Sequence, residues 1–300
     1  MHTTQFTLTP CKPFDFVSTI ESHGWMNLTP FSWDADSGIL SRPERVSDKV
    51  VEMQIRGSAV REQPAHVQVT VIHEGELDGT TIESLRARVF RSLMLGVDLT
   101  AFHRVCRRTP GLQNAPAHAR GRLLLGSTLF EDIVKTILTT NVNWAGTKRM
   151  VNRLVDAFGS PLPWDARRRA FPTAEQIADG AEQILEEGLG LGYRASYIVD
   201  LARQICDGSL DLSRFENAGL NSDQLYRELR AIKGIGDYAA SSILLFLGHA
   251  KRIPVDSWAR SLISTHFHAG EKVTNEQAAG AFGEFGRWRA LAFWFYEWPA

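Results

Sequence analysis

The stretch LYRELRAIKGIGDYAASSILLFLG, residues 225–248, decides the fold: two apolar-periodic helices meet at Gly234-Ile235-Gly236. Two glycines around one apolar residue permit a tight turn at positive φ. They also leave backbone N–H groups exposed at the start of the following helix, where an anion can be gripped. Residues 229–249 therefore read as a helix-hairpin-helix, with Gly234, Ile235 and Gly236 as the turn and Lys233 beside it as a surface cation. A GxG alone is weak evidence, because many helix-to-helix turns carry glycine for backbone geometry only. Here Ile232 and Ile235 supply apolar anchors on both sides, and Ala239 and Ala240 allow close helix approach. The carbonyls of so tight a turn, Ile232 and Gly234 among them, are candidate ligands for a monovalent cation, Na+ or K+.

Working outward, the chain continues KRIPVDSWAR, and Pro254-Val255-Asp256 opens a new helix. Read alone, Asp256 is an ordinary N-cap with Arg260 four residues on as a helix partner. Its spacing from Tyr238 adds a second reading, since one helix and a short return loop would bring this carboxylate back towards the hairpin.

Composition limits the function classes. The net charge of -1 argues against a protein that coats nucleic acid non-specifically. The charge is uneven, however: residues 101–170 hold a local basic surplus, including Arg104, Arg107, Arg108, Lys148, Arg149, Arg153 and the run Arg167-Arg168-Arg169. This segment suits either phosphates or a solvated face. The 3 cysteines, Cys11, Cys106 and Cys206, are widely separated and too few for a four-cysteine iron–sulfur cluster. No run approaches the length of a membrane span and the start does not resemble a signal peptide, so a cytoplasmic protein is expected, nucleoid-associated if bacterial.

The expected fold class is α+β, mainly α. Residues 1–110 carry strand-like alternation in QFTLTP, SDKVVEMQIRG and AHVQVTVIHEG, which predicts an antiparallel sheet domain, followed by a helix over about Thr81 to Leu99. Residues 111–300 read as a two-part helical bundle, with Thr173 and Gln176 as a capping box and helix stops at Gly159 and Gly208. The tail RWRALAFWFYEWPA is expected to pack back as a final helix.

KGIGDYAAS with PVD downstream resembles the helix-hairpin-helix DNA glycosylase superfamily. FEDIVKTILTTNVNW, GLGLGYRASYI and FGRWRALAFWF resemble, in the same order, segments of its 8-oxoguanine and alkylated-base members. The resemblance implies a base-excision enzyme acting on a damaged base in double-stranded DNA as a monomer, and the cysteine count leaves no four-thiolate iron–sulfur cluster. It places the catalytic carboxylate at Asp256. Members that also nick the strand carry a lysine two residues after the second hairpin glycine, where this chain has Tyr238; the resemblance thus implies a monofunctional hydrolase. Asn141 matches the residue that fills the gap left by a flipped base, and Tyr193 matches a wedge at the opposite strand, with Arg194 beside it.

Two departures favour the alkylated-base branch. Gly146 stands where 8-oxoguanine enzymes keep a second arginine, and Leu28-Thr29-Pro30-Phe31 replaces their Gly-Gln-Ser-Phe run. Tyr238, Trp144, Trp25, Phe31 and Trp294 are candidates for an aromatic pocket, because an electron-poor alkylated purine stacks well on electron-rich rings. The leading expectation is a glycosylase for 3-methyladenine-like purines. The alternatives are an 8-oxoguanine or uracil/thymine-mismatch glycosylase of the same fold, and a non-catalytic helix-hairpin-helix DNA-binding protein, against which Asp256 is the distinguishing feature.

Overall fold

The computed structural model describes residues 1–59, 64–187, 189–216 and 220–299, with the side chains of 186 and 187 left aside. Gly188, within the GLGLGYRASYI run, lies outside the described residues. In chain order the elements are β1 (His2–Leu8), α1 (Phe16–Ile20), β2 (Ser32–Asp34), β3 (Ile39–Val46), β4 (Lys49–Gly57), β5 (Val67–His73), α2 (Gly79–Ser92) and α3 (Thr100–Cys106). Then come α4 (Leu129–Thr139), α5 (Trp144–Phe158), β6 (Pro161–Leu162), β7 (Asp165–Arg169), α6 (Ala174–Asp179), α7 (Ala181–Glu187) and α8 (Arg194–Cys206). The last are α9 (Ser213–Glu216), α10 (Ser222–Ala231), α11 (Asp237–Phe246), α12 (Ser257–Phe267), α13 (Asn275–Gly280) and α14 (Arg289–Phe295). The chain is thus α+β and mainly helical, with an antiparallel sheet near its N-terminus.

The chain forms two compact units, Met1–Asp98 with Arg122–Asp211, and Leu99–Gly121 with Leu212–Ala300. In the first, the five strands pair antiparallel in the order β1-β5-β4-β3-β2. Alternation buries Phe6 and Leu8 of β1, Val51, Met53 and Ile55 of β4, and Val67, Val69 and Val71 of β5 in one core with Leu85 and Val89 of α2. Asp78 caps α2 by accepting the Thr81 N–H at 2.7 Å.

β2 and β3 lie outside the three runs whose alternation reads as strand. The core-side positions of β3 are Leu40, Arg42, Glu44 and Val46, so two charges interrupt the apolar period. Pro43 is tolerated there because β2 pairs only with residues 39–41 and has ended before it. The β6–β7 hairpin was equally hidden, since PLPWDARRRA has no apolar alternation. It is fixed by contacts distant in sequence: Arg168 pairs with Glu52 of β4 at 2.8 Å, and Arg169 donates to the Gly159 carbonyl at 2.9 Å. The run Arg167–Arg169 is therefore largely engaged within the unit, Arg167 with Asp165.

The helix expected to reach Leu99 stops at Ser92. Met94 takes a φ of 48°, and the buried Arg122 guanidinium draws in the carbonyls of Met94, Val97, Cys11 and Pro13 at 2.6–3.1 Å. A helix continued to Leu99 would have consumed the Met94 carbonyl. The capping box at Thr173 and Gln176 forms as read, and α5 ends at Gly159.

In the second unit, the segment 99–121 packs with the C-terminal helices. Phe102 of α3 lies 5.8 Å from Trp288, and Glu297 N–H donates to the Gly111 carbonyl at 2.7 Å. A single boundary at 110 therefore cuts through this unit, because the apolar face of α3 is satisfied by residues made much later. The tail packs back as expected: α14 is followed by Trp298, which joins Phe282, Phe293 and Tyr296 in an aromatic cluster with centroid distances of 5.0–6.0 Å.

Candidate active site and helix-hairpin-helix

In the second unit, Asn221 and Gln224 cap α10 reciprocally, and Leu225 and Leu229 bury its inner face. The helix ends in a turn closed by Ile232 N–H to Leu229 O and Ile235 N–H to Ile232 O, both 3.1 Å. Only Gly234 uses positive φ, at 88°. Gly236 is extended, with φ -83° and ψ -176°, and serves as the N-cap of α11 without a side chain to close over the free N–H groups. Ile232 and Ile235 are buried anchors, whereas Lys233 and Gly236 are exposed. So the turn presents backbone and one ammonium to solvent.

From the hairpin, α11 buries every side chain from Ala239 to Phe246. Tyr238 stands at its start, half-buried. The chain returns through buried Ile253 and Pro254 to Asp256, the N-cap of α12, whose Oδ1 accepts the Ala259 N–H at 2.8 Å. Arg260, the expected helix partner, instead donates to Asn275 Oδ1 at 2.8 Å. Among the described residues the second oxygen of Asp256 has no hydrogen-bond partner, and the residue is only half-buried. A carboxylate fixed through one oxygen and open at the other can act on a bound molecule without reorienting. Trp294 is half-buried on α14, and Phe293 beside it belongs to the core.

In the first unit, the turn between α4 and α5 carries Asn141 at a φ of 48°. Its amide donates to the Tyr193 hydroxyl at 3.1 Å, so the two residues read as gap filler and wedge sit side by side. Arg194 lies behind them: its guanidinium is 4.5 Å from the Tyr193 ring centroid and hydrogen-bonds the Thr140 carbonyl that ends α4. Tyr193 is half exposed, and so in part is Trp144, whose indole packs against Gly24; a Cβ on Gly24 would come within 2.6 Å of the ring.

Trp25 and Phe31 are buried and close around Lys135 of α4, with Nζ 5.5 and 5.0 Å from their centroids and 5.5 Å from Phe171. Lys135 also donates to Glu131 Oε1 at 2.6 Å, and Arg42 reaches Glu131 Oε2 at 2.9 Å. Burial works to raise the Glu131 carboxyl. The Arg42 and Lys135 charges outweigh burial and hold it below the usual carboxylate range. Burial lowers Lys135 against the pull of Glu131. His23 stacks on Trp25 at 5.2 Å and is pushed down to about 3 by burial and by the Lys135 charge, so it stays neutral.

The family model described as "HhH-GPD superfamily base excision DNA repair protein" matches residues 134–287. The chain belongs to this superfamily. A curated relative, the DNA-3-methyladenine glycosylase of Bacillus subtilis, is 25% identical over 230 residues, spanning 72% of this chain and 75% of the relative. The fold is that of the 3-methyladenine DNA-glycosylase structure from Archaeoglobus fulgidus, at a TM-score of 0.74 and 22% identity over 97% of each chain. It is also that of the apo 8-oxoguanine glycosylase/lyase of Clostridium acetobutylicum, at 0.72 and 19% over 98% of this chain and 96% of the other. As an HhH-GPD protein this is a base-excision DNA glycosylase.

Several residues of this HhH-GPD chain carry more than the sequence disclosed. Lys135 reads as one polar position on an apolar helix; only a buried Glu131 four residues earlier signals a pair. Trp258, two residues after Asp256, is 55% exposed with its ring edge-on to Phe293 at 6.1 Å. An exposed tryptophan in the first turn of a capped helix is the signal that PVDSWAR offered.

Proposed function

We propose that the chain hydrolyses the N-glycosidic bond of an alkylated, 3-methyladenine-like purine in double-stranded DNA, with Asp256 as the essential carboxylate, and leaves the strand intact. The observation that carries this reading is the Asp256 carboxylate, held through Oδ1 by the Ala259 N–H and open at its second oxygen. As the bond between C1′ and the base nitrogen breaks, the electron pair departs with the base and positive charge develops on the sugar. The fixed carboxylate stabilises that charge. Water then forms the new bond to C1′ and gives its proton to the carboxylate, which restores neutrality at the sugar.

The hairpin N–H groups and Lys233 are assigned to a backbone phosphate, and Asn141 with Tyr193 to the space vacated by a flipped base, with buried Arg194 holding Tyr193 from behind. Tyr238, at the position where strand-nicking members carry lysine, has no amine for a Schiff base. The name of the Bacillus subtilis relative supports an alkylated purine. The Asn141–Tyr193 pair favours a second reading, removal of 8-oxoguanine, against which Gly146 and Leu28-Thr29-Pro30-Phe31 stand.

The test is excision by the wild type and Asp256→Asn from duplexes bearing 3-methyladenine-like, ethenoadenine, hypoxanthine, 8-oxoguanine or uracil lesions, with and without alkali. Release of an alkylated or deaminated purine, with breaks only after alkali and none from the variant, is the expected result. Release of 8-oxoguanine alone supports the second reading. DNA binding with no excision of any lesion overturns both in favour of a non-catalytic binder.

A further inference from the structure

The turn of the hairpin already holds a positive charge. Arg230, near the end of α10, donates from Nη1 to the Ile235 carbonyl at 3.0 Å, and its Nε pairs with Asp237 Oδ1 at 3.0 Å. The Tyr226 hydroxyl donates to the same Asp237 oxygen at 2.8 Å. Two nitrogens of the guanidinium are thus fixed across the turn, from one helix to the next.

We infer that the Arg230 guanidinium stands in for a monovalent cation on this hairpin, so that the turn meets a DNA phosphate without bound Na+ or K+; the inference rests on the DNA-binding reading above. A metal ion held by turn carbonyls needs several oxygens with free lone pairs turned towards one point, and no like charge beside it. Here the Ile232 carbonyl accepts the Ile235 N–H at 3.1 Å and the Ile235 carbonyl accepts Arg230, which leaves each one lone pair, and a cation drawn to them would meet the guanidinium already seated on the turn. The turn does not suit the ion that its sequence suggests.

The role of Asp237 follows from the same geometry. A carboxylate at the first residue of α11 opposes any phosphate approaching the free N–H groups of that helix. Bound to Arg230 and Tyr226, its charge is offset. Both side chains remain accessible, Arg230 at 43% and Asp237 at 75%, so the pair is available to a duplex.

The experiment measures affinity by fluorescence anisotropy for a duplex carrying a non-hydrolysable abasic-site analogue, in K+ and in tetramethylammonium at equal ionic strength. Wild-type affinity is expected to agree between the two salts within about threefold. Arg230→Met, checked for folding by circular dichroism, is expected to bind about tenfold more weakly, with the slope of log affinity on log salt reduced by about one. A wild-type loss of about tenfold on withdrawing K+, or unchanged binding by Arg230→Met, overturns the inference. A second measurement needs no DNA: crystals grown in Tl+ are expected to show no anomalous peak at the carbonyls of residues 232–235, and a peak there overturns the inference. Wild type that binds no duplex in either salt overturns the DNA-binding reading itself, and the thallium measurement then decides the question of the ion alone.

Discussion

Asp256 performs two tasks that one substitution can separate. Its Oδ1 caps α12 and its carboxylate charge is the proposed catalytic element. Asparagine keeps the capping oxygen, so Asp256→Asn is expected to melt within a few tenths of a kcal/mol of wild type, whereas Asp256→Ala loses the cap and about 1 kcal/mol. Both are expected to lose about 10²–10⁴-fold in single-turnover excision, because both lose the charge. Equal melting of the two variants, or excision retained by Asp256→Asn, contradicts the assignment. At this scale the sequence was partly legible. Asp256 and Tyr238 followed from spacing and resemblance, and Asn141 and Tyr193 were named separately before they proved to be hydrogen-bonded. The Arg230–Asp237 pair was invisible, since a cation before a turn and an anion after it are individually unremarkable on solvated helices. The positive φ that the two hairpin glycines permit is used by Gly234 alone, since Gly236 has to enter α11 as an extended cap.

α4 is an apolar helix with a charged centre. Glu131 takes Arg42, Lys135 and the Ser127 N–H, all within a buried network. Glu131→Gln removes the anion common to two buried cations and is expected to destabilise the protein by about 3–5 kcal/mol in urea unfolding. Lys135→Met is expected to cost less, since Glu131 keeps Arg42; the reverse order would contradict the hub assigned to Glu131. β7 provides a pH-dependent counterpart. Burial raises Glu52 from 4.5 to about 7 against the attraction of Arg168. Folding therefore takes up a proton between those values: the stability from the neutral form is full below pH 4.5 and is lost as pH rises through 7. The shift corresponds to about 3 kcal/mol. Glu52→Gln should be more stable than wild type above pH 7, with the difference closing by pH 4.5; parallel stability curves would refute this. Elements with apolar periodicity, namely α4, α5, α8, α10 and α11, were legible. β3 and β7 were not, because their inward positions are Arg42, Glu44 and Arg168, which become compatible with strand only once partners from other elements reach them.

Over the whole molecule, the alternation and the helical runs gave the fold class, but composition gave no sign that residues 99–121 belong with the C-terminal helices. That division can be tested by truncation. A chain of residues 111–300 lacks α3 and leaves Trp288 without Phe102, so near-UV circular dichroism is expected to show loss of fixed aromatic packing. A native-like spectrum would restore 110 as a workable boundary. The discontinuous units also bear on how the protein is made. On a ribosome, α3 emerges before α4 to α8 of the first unit exist, yet its partner Trp288 is made only after all of them. The nascent chain must carry α3 without its Trp288 contact until that segment has been made, and the second unit cannot close before then. An early stop codon therefore removes more than a tail: it leaves α3 with no surface to bury.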